Sequence, residues 1–283
     1  MKNTSVCLLC FILFALTFCT SDEKPERYGE VESELYLGKS DHQPLIVGLG
    51  GSEGGNAWAS DRWEKTRNQF IDEGYAFLAI GYFGGKNTPE QLDRISIDAI
   101  HNTIERAAKN PLIDRDRIIL IGGSKGAELA LLMASYYSDI KGVVAIVPGY
   151  AAFPALTMSA STSSWMYQNK EVPYVPMPWS AVPSAMKRDL RSAFKIMIED
   201  KEAVNRARIK IENINGFILL VSATQDEMWP STEMSEEMMT YLENKDFKYA
   251  HDHIPVKGGH MEPLDHFDEI HLFLNEQFKK DSL

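Results

Sequence analysis

Three residues of this chain have the types, the order and the local settings for nucleophilic catalysis: Ser124, Asp226 and His260. The serine follows the apolar run Ile118-Ile119-Leu120-Ile121 and stands inside Gly122-Gly123-Ser124-Lys125-Gly126, where a helical pattern begins at once. Gly-x-Ser-x-Gly between a strand and a helix is a nucleophile elbow. Such a turn holds its serine on a strained backbone with the hydroxyl raised above the sheet. Glycines two residues before and two after let strand and helix pass without a Cβ clash. Asp226 follows a strand predicted over residues 216–222 and precedes a helix that starts after Pro230. It therefore sits at the carboxyl end of a strand, where open α/β sheets place their sites. His260 lies in Gly258-Gly259-His260, the turn after a strand predicted over 248–255. The chain order Ser, Asp, His is the order of an elbow-type triad. Glu227 is the alternative acid. Of the other histidines, His251 and His253 alternate on a strand, His101, His266 and His271 fall in helical patterns, and His42 precedes the first core strand. Those settings suit polar surface or structural roles.

Acyl transfer also needs backbone N–H groups aimed at the developing oxyanion. One is expected from Lys125, directly after the nucleophile. The second is expected from the loop after the first core strand. That loop reads Gly50-Gly51-Ser52-Glu53-Gly54-Gly55, and Ser52 and Glu53 are the expected donors. The loop lacks the Gly-Lys-Ser/Thr ending of a P-loop and the spacing of a dinucleotide fingerprint.

The elements that must carry these residues alternate. Strands are predicted near 31–37, 44–49, 75–81, 117–122, 142–147, 216–222 and 248–255. Helices are predicted near 57–73, 89–109, 124–137, 231–244 and 264–280. Such alternation specifies an α/β chain with a mostly parallel, doubly wound sheet. Residues 148–200 break the rhythm with prolines, aromatics and methionines. They are expected to form an insertion over the active site, an adaptable apolar wall for an acyl group. Trp165 and Tyr167 within it, and Trp229 beside the acid, are the expected substrate contacts.

Several segments resemble the C-terminal domain of the acyl-CoA thioester hydrolase and bile acid-CoA:amino acid N-acyltransferase family, within the dienelactone hydrolase-like α/β-hydrolases. They are Gly50 to Gly55, the elbow Ser124-Lys125-Gly126-Ala127-Glu128, Ser163 to Lys170, the turn Asp226-Glu227-Met228-Trp229-Pro230-Ser231, and Gly258-Gly259-His260. The resemblance spans nearly all of residues 42–275. It implies an α/β-hydrolase fold, a Ser124–Asp226–His260 triad, and an acyl thioester or ester as small-molecule substrate. It also implies hydrolysis rather than amino acid acylation, since the elbow residue is serine and not cysteine. No cofactor is expected. No metal is expected either, because no His/Cys cluster has zinc-ligand spacing.

The N-terminus reads as a leader. Lys2 precedes the apolar run 6–18, which ends at Cys19 and a polar stretch. This is a signal peptide, and its apolar run is too short to span a bilayer well. Leu16-Thr17-Phe18-Cys19 resembles a bacterial lipoprotein box, with Phe18 where a small residue is usual. The expectation is cleavage before Cys19 and lipidation there, giving a protein held outside the cytoplasm on a membrane; plain secretion is the alternative. Residues 20–30 would form a tether and 31–283 the hydrolase domain. Cys7, Cys10 and Cys19 are the only cysteines, so the domain itself has no disulfide. A net charge of −11 disfavours nucleic acid and anionic membrane as partners. Three functions are compatible with these readings: an acyl thioesterase, an extracytoplasmic carboxylesterase, and a non-catalytic binding module on a hydrolase scaffold.

Overall fold

The computed structural model describes residues 24–280. The leader and Cys19 lie outside the described residues. The chain runs β1 (Glu32–Tyr36), β2 (Gln43–Leu49), α1 (Asp61–Asp72), β3 (Ala76–Gly81), β4 (Ile95–Ser96), α2 (Ile97–Ala107), β5 (Ile113–Gly123), α3 (Lys125–Tyr136) and β6 (Ile140–Ile146). It continues with β7 (Trp165–Tyr167), β8 (Lys170–Glu171), α4 (Val182–Met186), α5 (Leu190–Met197) and α6 (Lys201–Ala207). Then come β9 (Phe217–Ala223), α7 (Ser231–Asn244), β10 (His251–Val256) and α8 (Phe267–Lys280). No helix among the described residues is long and apolar enough to cross a membrane.

Among the described residues, seven strands form one sheet in the order β1-β3-β2-β5-β6-β9-β10. All neighbours pair in parallel except β1, which joins β3 antiparallel at one edge. Strand alternation splits the core into two layers. Leu45, Val47 and Leu49 of β2 face one layer with the buried residues of α2, α3 and α7. Ile46 faces the other, where Trp63 and Phe70 of α1 meet Phe267, Ile270 and Leu274 of α8. Helices on both faces of a parallel sheet make the fold doubly wound, as the strand–helix alternation requires. α3 is buried from Lys125 to Ala134, where Lys125 and Glu128 pair with each other and the rest of the stretch is apolar.

Three local differences from the sequence reading have physical causes. The helix expected from residue 57 breaks at Ser60, whose backbone is extended between a 3-10 turn and α1. The helix expected from residue 89 starts at Ile97, with Ser96 as its cap. Residues 94–96 are instead captured by the insertion: Arg94 and Ile95 donate to the carbonyls of Ser163 and Ser164, and β4 pairs with β7. Residues 148–200 are also more ordered than their composition suggests. They hold the β7–β8 hairpin, α4 and α5, and the excursion continues through α6.

Candidate active site

Ser124 joins β5 directly to α3 with φ 55° and ψ −117°. A non-glycine residue there carries a strain of about 1–3 kcal/mol. Neighbours hold it: its N–H donates to Ile146 O at 2.9 Å, and its carbonyl accepts from Ala127 and Glu128. The flanking glycines are required by contact. A Cβ on Gly122 would stand 2.3 Å from Gly126 O, and one on Gly126 would stand 2.4 Å from Leu49 O.

Asp226 follows β9 and is 1% exposed. Its Oδ1 accepts from the N–H of Met228 at 2.9 Å and of Trp229 at 3.2 Å. Burial raises the pKa of this carboxyl, but hydrogen bonds and charge from His260, with help from Ser231 and the Met228 amide, win and hold it below the ordinary aspartate value. His260 follows β10 and is 6% exposed. Its Nδ1 meets Asp226 Oδ1 at 2.9 Å and Oδ2 at 3.0 Å. An ionised carboxylate only accepts, so Nδ1 carries the proton and Nε2 of the neutral ring is left with its lone pair. Glu227 takes the other job in this turn: its Oε2 accepts the His260 backbone N–H at 2.9 Å. Asp226, and not Glu227, is the partner of the imidazole. The other histidines make local pairs elsewhere, His101 with Asp139, His253 with Ser222 and His271 with Glu73.

Ser124 and His260 open onto one cavity of about 640 Å³. Its wall includes the Gly50–Asn56 loop, Trp58, Trp63, Val147, Met261 and Leu264, with the charged Arg62 and Glu227 among its polar members. Lys125 sits at the first position of α3 and turns its side chain inward, where Nζ meets Glu128 at 2.9 and 3.0 Å. Ser52 and Glu53 of the glycine-rich loop line the cavity. Gly51 also comes close to the serine: a Cβ there would lie 3.6 Å from Ser124 Cβ. The Tyr82 hydroxyl donates to Gly50 O and so fixes the Gly50–Gly51 peptide, whose N–H points opposite to its carbonyl. Glu53 turns its carboxylate back onto Gly51.

Residues 97–264, more than half of the chain, match the family described as BAAT / acyl-CoA thioester hydrolase C terminal. The chain belongs to this family. Residues 22–171 also match an alpha/beta hydrolase family of unknown function. Among relatives, acyl-coenzyme A thioesterase 6 of Mus musculus is 26% identical over 73% of this chain and 46% of its own length. Acyl-coenzyme A amino acid N-acyltransferase 1 of the same species is 26% identical over 76% of this chain and 47% of its own. The chain thus spans about half the length of the curated relatives it matches. Among solved structures, an acetyl xylan esterase from Paenibacillus sp. R4 superposes with a TM-score of 0.55. It shares 16% identity, over 87% of this chain and 79% of that one. Est1E from Butyrivibrio proteoclasticus gives 0.54 at 16% identity, over 88% and 96%. Both likenesses concern the α/β-hydrolase fold.

Within this family member, the expected substrate contacts are placed differently. Trp165 is fully buried and spends its indole N–H on Glu128 Oε1 at 2.6 Å. Tyr167 stacks on Tyr136 with ring centres 4.2 Å apart. Trp229 is buried, donates to Val147 O, and packs edge-on against the His260 ring. None of the three lines the cavity, and neither does any residue of 148–200. The apolar wall is Trp58 and Trp63, stacked with centres 4.5 Å apart, together with Leu264. The sequence carried a signal for it. Trp58 and Trp63 come soon after the Gly50–Gly55 loop, in the stretch that leaves the loop along the cavity.

Proposed function

We propose that this chain is a serine hydrolase of acyl thioesters or esters. The observation that carries the proposal is a strained elbow serine sharing one cavity with a histidine whose Nδ1 is held by a buried carboxylate. Ser124 Oγ attacks the acyl carbonyl while His260 Nε2 takes its proton. The N–H of Lys125 and the loop amides from Gly51 to Glu53 face the oxyanion, Gly51 lying close beside the serine. His260 then protonates the leaving thiolate or alkoxide, and water repeats the cycle to release the acid. Asp226 holds the imidazole and stabilises its charged form. The relatives' names favour a thioester as substrate. An outward-directed leader favours an extracytoplasmic ester instead, since acyl-CoA is made and used inside cells. Labelling by a fluorophosphonate, followed by acyl-CoAs against nitrophenyl esters of matched chain length, separates these readings. Absence of labelling would favour a binding module.

The apolar wall gives the acyl group its place. A cavity of about 640 Å³ falls in the range of small-molecule sites, so it encloses an acyl group and the reacting bond rather than a whole acyl-CoA. Leu264 Cδ2 lies 3.3 Å from where a Gly123 Cβ would stand, hence close to the elbow. Leu264→Trp is expected to reduce kcat/KM for the longest acyl chains accepted by about tenfold or more and to spare acetyl esters, because each misfitted methylene costs about 1–3 kcal/mol. A chain-length series checks this. An equal loss at every length would place the acyl group elsewhere.

Cys19 is proposed as the lipidated first residue of the mature protein, supported by the apolar run that ends there. Two or more acyl chains give stable anchoring where one is marginal. In a bacterial host the mature protein should sediment with membranes, and Cys19→Ser should release it or leave the leader uncleaved. An unmodified N-terminus beyond Cys19, read by mass spectrometry, would mean plain secretion.

A further inference from the structure

The excursion after β6 does not border the cavity, yet it reaches both halves of the candidate site from behind. At the nucleophile end, Glu128 of α3 accepts from Phe153 N at 3.2 Å and from Trp165 Nε1 at 2.6 Å. At the acid end the contact is made by α5. Arg191, in its first turn, points Nη1 at the main-chain carbonyls of Asp226, at 2.6 Å, and Trp229, at 3.4 Å. Nη2 meets Glu233 Oε1 of α7 at 2.5 Å, and the Arg191 backbone N–H donates to Glu227 O at 3.2 Å. One residue therefore holds the carbonyls of Asp226, Glu227 and Trp229 and ties them to the next helix. Three residues on, on the same face of α5, Phe194 packs edge-on against Trp229 at 5.1 Å. Trp229 in turn packs edge-on against the His260 ring at 5.5 Å.

We propose that Arg191 is a positioning residue for hydrolysis, which sets the place of Asp226 by holding the acid turn at its main-chain carbonyls. The inference rests on the reading of Asp226 as the residue that orients His260. The chemistry selects arginine for this place. Its planar fork offers several donors in fixed directions, so one side chain reaches two carbonyls on one side and a carboxylate on the other. The Asp226 side chain is held by the Met228 and Trp229 amides. Those amides belong to the same turn and move with it, so they cannot fix where the turn lies relative to β10 and His260. Gln225 N–H to Gly258 O and the His260 N–H to Glu227 tie the turn to the exit of β10, and Arg191 braces it from the opposite side, against α5 and α7. Displacement of a catalytic group by about 1 Å is enough to cost up to about a hundredfold in rate.

A double-mutant cycle tests this. Arg191→Met is expected to lower kcat about tenfold with KM within about twofold, and Arg191→Lys, which keeps a charged donor, to lose about threefold. In an Asp226→Asn background, already impaired, Arg191→Met should cost less than about twofold, because residues acting through one another are not additive. A merely structural role would lower the amount of folded enzyme by the same factor in both backgrounds, and that result would overturn the proposal. So would an Arg191→Met variant whose KM rises while kcat stays. Should Arg191→Met not fold, Arg191→Lys runs the same cycle, judged by whether its threefold loss vanishes in the Asp226→Asn background. Wild-type kcat for Asp226→Asn alone would instead remove the triad reading itself.

Discussion

Ser124→Ala is expected to lower kcat on the best ester or thioester by about three orders of magnitude or more, and to abolish fluorophosphonate labelling. This is the largest effect expected for any single substitution in the chain. Loss of a triad nucleophile leaves only what the oxyanion donors and substrate binding contribute. The fold should not register the change. The backbone bonds of the elbow, Ser124 N–H to Ile146 O and Ser124 O to Ala127 and Glu128, do not involve the side chain. Alanine also keeps a Cβ in the strained conformation, so the strain persists and the melting temperature stays within a few degrees. Retention of even a tenth of wild-type kcat would show that another group attacks the carbonyl.

Asp226→Asn comes next, with an expected loss in kcat of about three orders of magnitude, while Glu227→Gln stays within about threefold. The two carboxylates are adjacent in sequence and both contact His260, but at different atoms. Asp226 holds Nδ1 of the ring, whereas Glu227 accepts the backbone N–H. Asparagine presents an N–H₂ that invites the wrong tautomer and removes the charge that stabilises the imidazolium. Glutamine at 227 keeps a carbonyl oxygen for the backbone N–H. Steady-state kinetics on both variants decide the matter, and a reversed ranking would assign the acid to Glu227.

The parts of the site legible in the sequence were those enforced by local chain geometry. Gly122 and Gly126 announce the elbow because backbone stands where their Cβ atoms would be. Asp226 and His260 are legible because each follows a strand into a polar or glycine-rich turn at the same end of a parallel sheet. The wall of the cavity was not legible from aromatic content alone. Trp165, Tyr167 and Trp229 resemble cavity residues in composition, yet each already has a partner: Glu128, Tyr136 and Val147 with His260. Those partners lie far off in sequence, and only tertiary packing shows that the rings are taken. The same holds for residues 94–96. Their helical neighbourhood was overridden by pairing with β7, about seventy positions later in the chain.

The position of β10 in the sheet bears on how the candidate site would come apart. Ser124 is carried by β5, which has strands on both sides, whereas His260 follows β10, which among the described residues is the edge strand and pairs with β9 alone. Most of β10 is only partly covered, from His251 to Pro255. Local opening of a sheet starts at such margins and requires less free energy than global unfolding. Fraying of this edge separates His260 from Asp226 while the elbow stays folded. On heating, or in mild denaturant, the proposed activity is then expected to be lost before the bulk of the secondary structure. Active-site titration and circular dichroism, followed on one sample, report two different midpoints.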